Sequence, residues 1–450
     1  MKQAASLSMG TGIGLVVANM IGSGVLTTAG FLADTLTPSL ILLAWAAGGV
    51  IAMAGARAYA ALAEQVPRSG GEYRYLHVLM SPSLGYLAGW TSLLLGFSAP
   101  IAMAALAAGA FGDLLFPVDS RAFGIALIAI VTVVHALHLR TSSMAQNGLV
   151  AIKIILLFGF VLAGVTLGSH VMPTWPKPVA HGPGGAVGAF CVALVYIGFC
   201  YSGWNAASYI SEEFRSPKRD VPRAMMIGCL LVAAIYLLIN WVFVANLSQE
   251  ALAQVKTDGD RITLGHSVMR ALAGEGGAKA MTILVLVALT SSMSAMTLVG
   301  PRVYAAMAQD GLLPKILIGK DNEPPFAAVL LQSGVAVALV LTHRFSVLLQ
   351  NAGCVLTLVS MLAVASLFRR GAPPLTVGVR LSAAVYLVAS AWALIFSILD
   401  TPSSLVWIAV IAAVSWAGFT WTSRYNRPMS AGVAAVRDVQ LTTAPGHDVA

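Results

Sequence analysis

Apolar runs of at least about 18 residues recur along this chain of 450 residues, and each is long enough to cross roughly 30 Å of hydrocarbon as a helix. Hydrophobic residues make up 58% of the sequence and charged residues 10%, whereas soluble domains are roughly half apolar and a quarter charged. The sequence therefore predicts a membrane protein. The twelve predicted spans are residues 10–32, 38–62, 84–111, 122–139, 147–168, 186–211, 224–246, 278–304, 326–342, 346–368, 376–398 and 404–421.

The spans are expected to be helices. A membrane β-barrel needs segments of about ten residues with alternating polarity, but here both faces stay apolar along each run. Helices are then the remaining way to satisfy the backbone in lipid, so the fold class is all-α polytopic. The first run passes directly into the second, which favours a retained first helix over a cleaved signal peptide.

The basic residues predict the orientation of the chain. Placing the amino terminus in the cytoplasm puts most of the 26 Lys and Arg residues into cytoplasmic segments, so the positive-inside rule favours an inner (plasma) membrane protein with both termini cytoplasmic. The net charge of +8 then needs no nucleic acid partner. The four cysteines fall within predicted spans without metal-ligand spacing, which indicates neither disulfides nor a metal site.

The spans are expected to form one transmembrane domain over residues 1–425. Its one long polar insert, residues 248–277 between spans seven and eight, should lie outside and form a short helix or two. Residues 426–450 are polar and show no apolar period, so a disordered cytoplasmic tail is expected there.

Spans one and six carry unusual glycines. TGIGLVVANMIGSGV in span one and VYIGFCYSGWN in span six place Gly22, Gly24, Gly198 and Gly203 in mid-membrane, where glycine disfavours a helix by about 1 kcal/mol relative to alanine. The two sites occupy corresponding places in successive units of five spans. This indicates inverted repeats, about 8–168 and 186–368, whose broken helices form a binding site at the bilayer midplane. Close helix packing by small residues is the alternative.

Four longer motifs follow one another along the chain. They are GIGLVVANMIGSGV in span one, VPRSGGEYRYL at 66–76, GFCYSGWNAASYISEEFRSPKRDVPRAM at 198–225 and GPRVYAAMAQDGLLPK at 300–315. In this order they resemble the amino acid, polyamine and organocation superfamily of permeases, and within it the L-type amino acid transporter branch. The resemblance covers about residues 8–425. It implies the leucine-transporter-type fold, a 5+5 inverted repeat with two additional helices at about 376–421.

The resemblance also implies a substrate site. Unwinding at Ile21–Gly24 would expose amide N–H groups at a helix N-terminus, which favours a carboxylate, and Ser23 and Gly24 match the carboxylate-binding positions of the family. Freed carbonyls of both breaks would accept from an α-ammonium, and Phe199 aligns with the aromatic lid of the family. The predicted substrate-binding residues are Ala18, Asn19, Ile21, Gly22, Ser23, Gly24, Phe199, Ser202 and Trp204. CYSGW departs from the family's usual AYGGW, which leaves the pocket volume open.

Lys153 is the lysine that lies well inside a predicted span. An ammonium at that depth costs about 3 kcal/mol or more, so it should face the bundle interior, although snorkelling to the surface is an alternative. The resemblance places a lysine here where sodium sits in sodium-coupled relatives, bridging span one to a serine of span eight. The candidate serines are Ser291, Ser292 and Ser294, with Ser292 first.

The predicted function is secondary active transport of neutral L-amino acids by alternating access. The pocket-lining stretches of spans one, three, six, eight and ten hold no acidic residue at mid-depth, which disfavours a cationic amino acid or a polyamine. Sodium-independent exchange and proton coupling both remain open, as does export. No cofactor, no metal and no obligate protein partner are expected.

Two rival classes are disfavoured. A membrane-embedded enzyme subunit would need histidine pairs, a metal constellation or a catalytic dyad within the membrane, and a channel would need a filter motif or a ring of charges. A charged group at the cytoplasmic ends, formed by Arg57, Glu64, Glu212, Glu213, Arg219 and Arg302, is either an ion-pair network that closes the inner vestibule or a set of solvated loop charges.

Overall fold

The computed structural model describes residues 7–137, 139–168, 184–247, 252–253, 255–319 and 325–425. The predicted tail, 426–450, lies outside the described residues.

The first six predicted spans are all present as helices. They are formed by Met9–Met20, Ser23–Thr27 and Ala29–Ala33 (span one), Pro38–Gln65 (two), Pro82–Thr91, the π-helix Ser92–Ser98 and Ala99–Asp113 (three), Ser120–Leu137 (four), Leu139–Leu167 (five), and Gly185–Cys200 with the 3-10 helix Ala206–Glu213 (six).

The last six spans are also helical. They are Pro217–Asn246 (seven), Leu264–Gln309 (eight), Phe326–Thr342 (nine), Phe345–Ala365 with the 3-10 turn Ser366–Phe368 (ten), Val377–Asp400 (eleven) and Ser404–Tyr425 (twelve). Leu264–Gln309 is interrupted by a kink at Ala273 and Gly274, whose backbone angles are not helical, and the part after the kink forms span eight. Within the described ranges, nine spans are long and apolar enough to cross a membrane, and three shorter apolar helices complete the set. The predicted all-α polytopic fold is confirmed.

The outer surface of the bundle is apolar. Ile155 is 70% exposed, Phe158 69% and Trp416 65%, and such side chains recur along the outward faces of spans five, eleven and twelve. A contiguous apolar surface of this extent is unfavourable in water. The protein is therefore a multi-pass membrane protein whose exposed faces contact lipid.

Two short helices mark the opposite ends of the bundle. The loop helix Gly71–Leu79 joins spans two and three, and it starts at Gly70 and Gly71, whose φ angles of 122° and 54° favour glycine. The insert helix Asp258–Ile262 lies between spans seven and eight. A capping box formed by Thr257 and Asp260 begins it. We name the two ends of the bundle the loop-helix end and the insert end.

Candidate substrate site

The helix of span one is interrupted where the glycines predict. Met9–Met20 ends at Ile21, Gly22 is extended with φ −117° and ψ −153°, and a new helix begins at Ser23. The amide groups of the first turn of that helix have no partner within it. The break therefore leaves the amide groups of this turn without a partner in their own helix, in the middle of an apolar bundle.

Span six is interrupted at the matching place. Its first helix ends at Cys200, and the chain turns through residues 201–205 before the 3-10 helix begins. Gly203 adopts φ 102°, a conformation that L side chains rarely take. A Cβ atom at Gly203 would lie 3.1 Å from the carbonyl carbon of Asn19 and 3.2 Å from its oxygen. The two breaks thus meet backbone to backbone, and glycine permits the approach.

Lys153 of span five reaches the break in span one. Its side chain is fully buried, and Nζ donates to the carbonyl oxygens of Ala18 at 3.0 Å and of Ile21 at 2.7 Å. The lysine thus faces the bundle interior and does not snorkel. Two of the carbonyls expected to face a substrate ammonium already accept from this lysine.

Tyr236 of span seven connects the two breaks. Its hydroxyl lies within hydrogen-bonding distance of the carbonyl oxygen of Met20 and 3.1 Å from that of Cys200. Its ring packs edge-on against Trp45 of span two, with centroids 5.4 Å apart. The hydroxyl has one proton, so it donates to one of these two carbonyls at a time, and it lies between the two breaks.

Cys200, one of the two departures from the family pattern, packs against the second half of span one. Its Sγ lies 3.2 Å from Thr28 Oγ1, and a Cβ atom at Gly24 would lie 2.7 Å from Sγ and 3.0 Å from Cα of Cys200. A side chain at position 24 would therefore push spans one and six apart. Glycine at this position serves helix packing as well as any role in binding a carboxylate.

A cavity of about 60 Å³ lies beside the breaks, and we name it the break cavity. Spans one, three, six, eight and ten and the loop helix all contribute to its wall. The lining residues with polar side chains are Asn19, Glu72, Thr91, Ser92, Ser202, Asn205, Tyr209 and Ser360. Apolar walls come from Phe97, Met296, Leu356 and Val359.

A second cavity of about 80 Å³, the side cavity, lies between spans two, six, ten and eleven. Phe199 and Trp204 line it, and Ser202 lines both cavities. Trp204 is only 6% exposed and packs edge-on against Tyr59, with centroids 4.6 Å apart. The two predicted aromatic residues therefore line the side cavity, whereas Asn19 lines the break cavity.

The predicted substrate-binding residues thus fall into three groups. Asn19 and Ser202 line the break cavity, and Phe199, Ser202 and Trp204 line the side cavity. Ala18, Ile21, Gly22 and Gly24 are buried at the break in span one and line neither cavity. Ser23 begins the second helix of span one.

Glu72 is a cavity residue that the sequence analysis did not identify. It is 5% exposed, and its carboxylate accepts from the Tyr59 hydroxyl at 3.1 Å, the Tyr209 hydroxyl at 2.7 Å and the side-chain amide of Asn205. No acidic residue was expected in the pocket-lining stretches, but the loop helix carries this one to the cavity. One sequence feature could have indicated this residue: the acid directly follows Gly70 and Gly71 in the motif VPRSGGEYRYL.

The serines of span eight lie near the break without bonding to Lys153. In the described part of the chain, Lys153 makes no hydrogen bond to Ser291 or Ser292. A Cβ atom at Gly22 would lie 2.8 Å from Ser292 Oγ, so span eight packs on the break through glycine. Ser294 Oγ lies 2.7 Å from Nε2 of the buried His135.

Ion pairs lie at both ends of the bundle. At the loop-helix end, Arg74 pairs with Asp310 at 2.8 Å, and Asp310 also accepts from the Tyr73 hydroxyl. At the insert end, Arg261 pairs with Asp34 at 2.6 Å, beside a cavity of about 300 Å³. Among the six charged residues grouped in the sequence analysis, the described ion pairs join only Arg302 and Glu213, at 3.4 Å.

Comparison with known proteins agrees with this architecture. The family model described as amino acid permease matches residues 7–421. The chain is 31% identical over 264 residues to the b(0,+)-type amino acid transporter 1 of Mus musculus, covering 56% of the chain and 54% of that protein. It therefore spans about half the length of this relative.

Other relatives match over longer stretches. Identity is 28% over 305 residues to a serine/threonine exchanger of Bacillus subtilis, 67% of each chain. It is 27% over 410 residues to the large neutral amino acids transporter small subunit 2 of Rattus norvegicus, 86% of this chain and 75% of the relative. With the family model covering nearly all of its length, the chain belongs to the amino acid permease family.

Proposed function

We propose that this protein is a secondary active transporter that moves neutral L-amino acids across the inner (plasma) membrane by alternating access. The observation that carries the proposal is the meeting of two helix breaks, backbone to backbone at Gly203 and Asn19, beside a small polar cavity inside an apolar bundle. Unpaired main-chain groups are costly away from water. The carboxylate of an amino acid supplies the acceptor that the amide groups of the helix starting at Ser23 require.

The residues around the two breaks suit the two charged groups of an amino acid, its carboxylate and its ammonium. The helix that begins at Ser23 presents N–H groups and a partial positive charge suited to a carboxylate. Because Lys153 already donates to the carbonyls of Ala18 and Ile21, the ammonium site is best formed by Asn19 and Ser202, which line the break cavity.

Transport is proposed to be independent of sodium. The ammonium of Lys153 sits on the break in span one, and a second cation 4 Å away would meet repulsion of about 4 kcal/mol at an effective dielectric near 20. Exchange of amino acids and proton coupling are both compatible with this arrangement.

The proposed orientation puts both termini in the cytoplasm, which follows the positive-inside rule. The loop-helix end then faces the cytoplasm, and the pairs Arg74–Asp310 and Arg261–Asp34 close the inner and outer paths. Alternating access requires each pair to open in turn. No obligate protein partner is proposed, since all four cysteines are buried within helices and none is placed for a linking disulfide.

The test is uptake of radiolabelled amino acids into proteoliposomes that contain the purified protein, with and without internal amino acid and a pH gradient, in sodium-free buffer. Saturable uptake of a neutral L-amino acid above that of empty vesicles is expected. The panel includes lysine and putrescine, because the buried Glu72 lines the break cavity and would favour a cationic substrate. Uptake of lysine or putrescine, without uptake of any neutral amino acid, would show that the substrates are cationic. Absence of uptake for the whole panel would refute transport.

A further inference from the structure

We infer that the break cavity selects small amino acids with a hydroxyl-bearing side chain, and that Asn19 and Thr91 are the residues that recognise the hydroxyl. The inference rests on the proposed function and names its substrate class. Two residues that line this one cavity each carry a buried side-chain group that lacks a hydrogen-bond partner among the described residues: Nδ2 of Asn19 and Oγ1 of Thr91. The two side chains belong to residues only 4% and 1% exposed.

Unpartnered groups of this kind need an explanation. Nearly all buried polar groups in proteins have a hydrogen-bond partner. A buried polar group whose hydrogen bond is not made costs stability. Two such groups in a single cavity indicate an occupant that supplies the missing partners. Asn19 provides a donor, and Thr91 provides a hydroxyl that can donate or accept.

The hydroxyl of Thr91 is available because of its position. Threonines inside the spans commonly donate to the carbonyl four residues earlier, as Thr132 does to Ile128 at 2.7 Å and Thr297 does to Met293 at 2.8 Å. Thr91 is the last residue of the helix Pro82–Thr91, directly before the π-helix Ser92–Ser98. Its hydroxyl makes no such bond within the described chain. A π-helical turn inside a helix is frequently found at a functional site.

A hydroxyl is the group that fits all the neighbours. It can accept from Asn19 Nδ2 and donate to Thr91 Oγ1 or to Glu72, whose Oε2 accepts only from Tyr209 among the described residues. A methyl group in the same place would leave Asn19 Nδ2 and Thr91 Oγ1 unpartnered. A cation would have to compete with the three donors that already share the Glu72 carboxylate.

The size of the cavity sets an upper limit on the side chain. A volume of about 60 Å³ corresponds to roughly four to six water molecules at ~10–15 Å³ each. Phe97, Met296 and Leu356 line the cavity beside the polar groups, and Leu356 also lines the side cavity. The side chains of serine and threonine fit this space, whereas those of leucine and phenylalanine would require the walls to move.

The test compares isosteric substrates in proteoliposomes: threonine with valine, and serine with alanine, by KM and by competition. The variants are Thr91→Val, which removes the hydroxyl at constant shape, and Thr91→Ser, which keeps it. Ser415→Ala is the matched control, because Ser415 Oγ is also buried and unpartnered but lies in span twelve, outside both cavities. Thermal unfolding of each variant is measured in parallel, and Thr91→Val should be at least as stable as wild type.

Wild type should prefer threonine over valine by about fivefold or more, the factor for one net hydrogen bond of about 1 kcal/mol. Thr91→Val should reduce this preference to about threefold or less by raising KM for threonine alone, while Thr91→Ser and Ser415→Ala retain it. Equal handling of threonine and valine by wild type, or a Thr91→Val variant that weakens all substrates equally, would overturn the inference and leave amino acid transport intact. Absence of any amino acid uptake would overturn the proposed function as well.

Discussion

The position of Lys153 bears directly on whether transport is coupled to sodium or to protons. Its side chain is fully buried, and its two hydrogen bonds go to main-chain oxygens of the break in span one. It thus links span five to the segment proposed to hold the substrate. This interior contact could be predicted from one lysine in an apolar run, because a buried ammonium needs acceptors. Its exact acceptors could not, since they depend on how spans one and five pack.

Replacing Lys153 by Met should lower transport at least tenfold, because the carbonyls of Ala18 and Ile21 lose their partner and span five loses its tie to the break. The pH dependence of uptake between about 5 and 8 should also change. Lys279→Met, at an exposed position of span eight, is the control and should behave as wild type. Uptake is measured with sodium replaced by choline. A strict sodium requirement in wild type, or an unchanged Lys153→Met variant, would contradict the coupling role.

The position of Glu72 in the cavity wall could not be predicted from the sequence. A carboxylate in a loop motif is commonly solvated, and only the fold reveals that the loop helix turns this one toward Asn205 and Tyr209 of span six. The predicted absence of an acid held for the spans themselves. It did not hold for the cavity, because a segment between spans two and three also contributes to the wall.

At the scale of elements, the broken helices of spans one and six were predictable from their glycines. Gly22, Gly24 and Gly203 each lie where a Cβ atom would contact a neighbouring span, so these residues both weaken the helix and permit close approach. The same glycines therefore allow close helix packing and also lie at the helix breaks of the proposed binding site. The two interpretations do not exclude each other. The partners of the freed carbonyls, such as Tyr236 in span seven, were not predictable, since nothing in an apolar span marks one tyrosine for this contact.

Tyr236→Phe should impair both stability and transport. Removing the hydroxyl leaves the carbonyls of Met20 and Cys200 without this donor, and an unsatisfied buried group costs about 1–3 kcal/mol. We expect a lower unfolding temperature in detergent and a several-fold loss of uptake per molecule. Tyr86→Phe is the control, because the described contacts of the buried Tyr86 are ring contacts with Trp90 and Phe419. Equal behaviour of the two variants would show that the hydroxyl of Tyr236 does not hold the breaks together.

The insert helix should not contribute to pH dependence near neutrality. Hydrogen bonds from the backbone of Thr257 and of Lys256, and from the Thr257 hydroxyl, hold the pKa of Asp260 below its usual range. A carboxyl with a lowered pKa stabilises the fold above its unfolded value of about 4 and loses that effect only as pH falls further. The difference in unfolding temperature between wild type and Asp260→Asn should thus stay constant from about pH 8 to pH 5. A difference that vanishes in this range would contradict the assignment.

At the scale of the whole molecule, the two ends are closed by different ion pairs around one central site. Arg74–Asp310 closes the loop-helix end, and Arg261–Asp34 closes the insert end. For the six charged residues at the span ends, the sequence left open an ion-pair network or a set of solvated charges, and in the described chain one ion pair, Arg302–Glu213, joins two of them. Which charges meet depends on the tilt of the spans and on the loop helix, and neither can be read from hydropathy.

The pair Arg74–Asp310 should show strong coupling in a double-mutant cycle, because its side chains are only 13% and 25% exposed. Uptake by Arg74→Asp, Asp310→Arg and the double exchange is measured, and the double variant should recover a substantial part of the activity lost in each single variant. The exposed pair Arg270–Glu275, at 56% and 67%, serves as the control and should give coupling near zero. Additive losses at Arg74 and Asp310 would show that this pair does not gate transport.

The central claim, that the substrate binds where the two breaks meet, is tested most directly by equilibrium binding of the best radiolabelled substrate to purified wild type, Gly203→Ala and Gly371→Ala. Both glycines have positive φ, 102° and 75°, so each substitution adds backbone strain of about 1–2 kcal/mol. Only the methyl group at position 203 meets Asn19, since nothing lies within 4 Å of a Cβ atom at Gly371. We expect binding at least tenfold weaker for Gly203→Ala and wild-type affinity for Gly371→Ala. Wild-type affinity in correctly folded Gly203→Ala would contradict it.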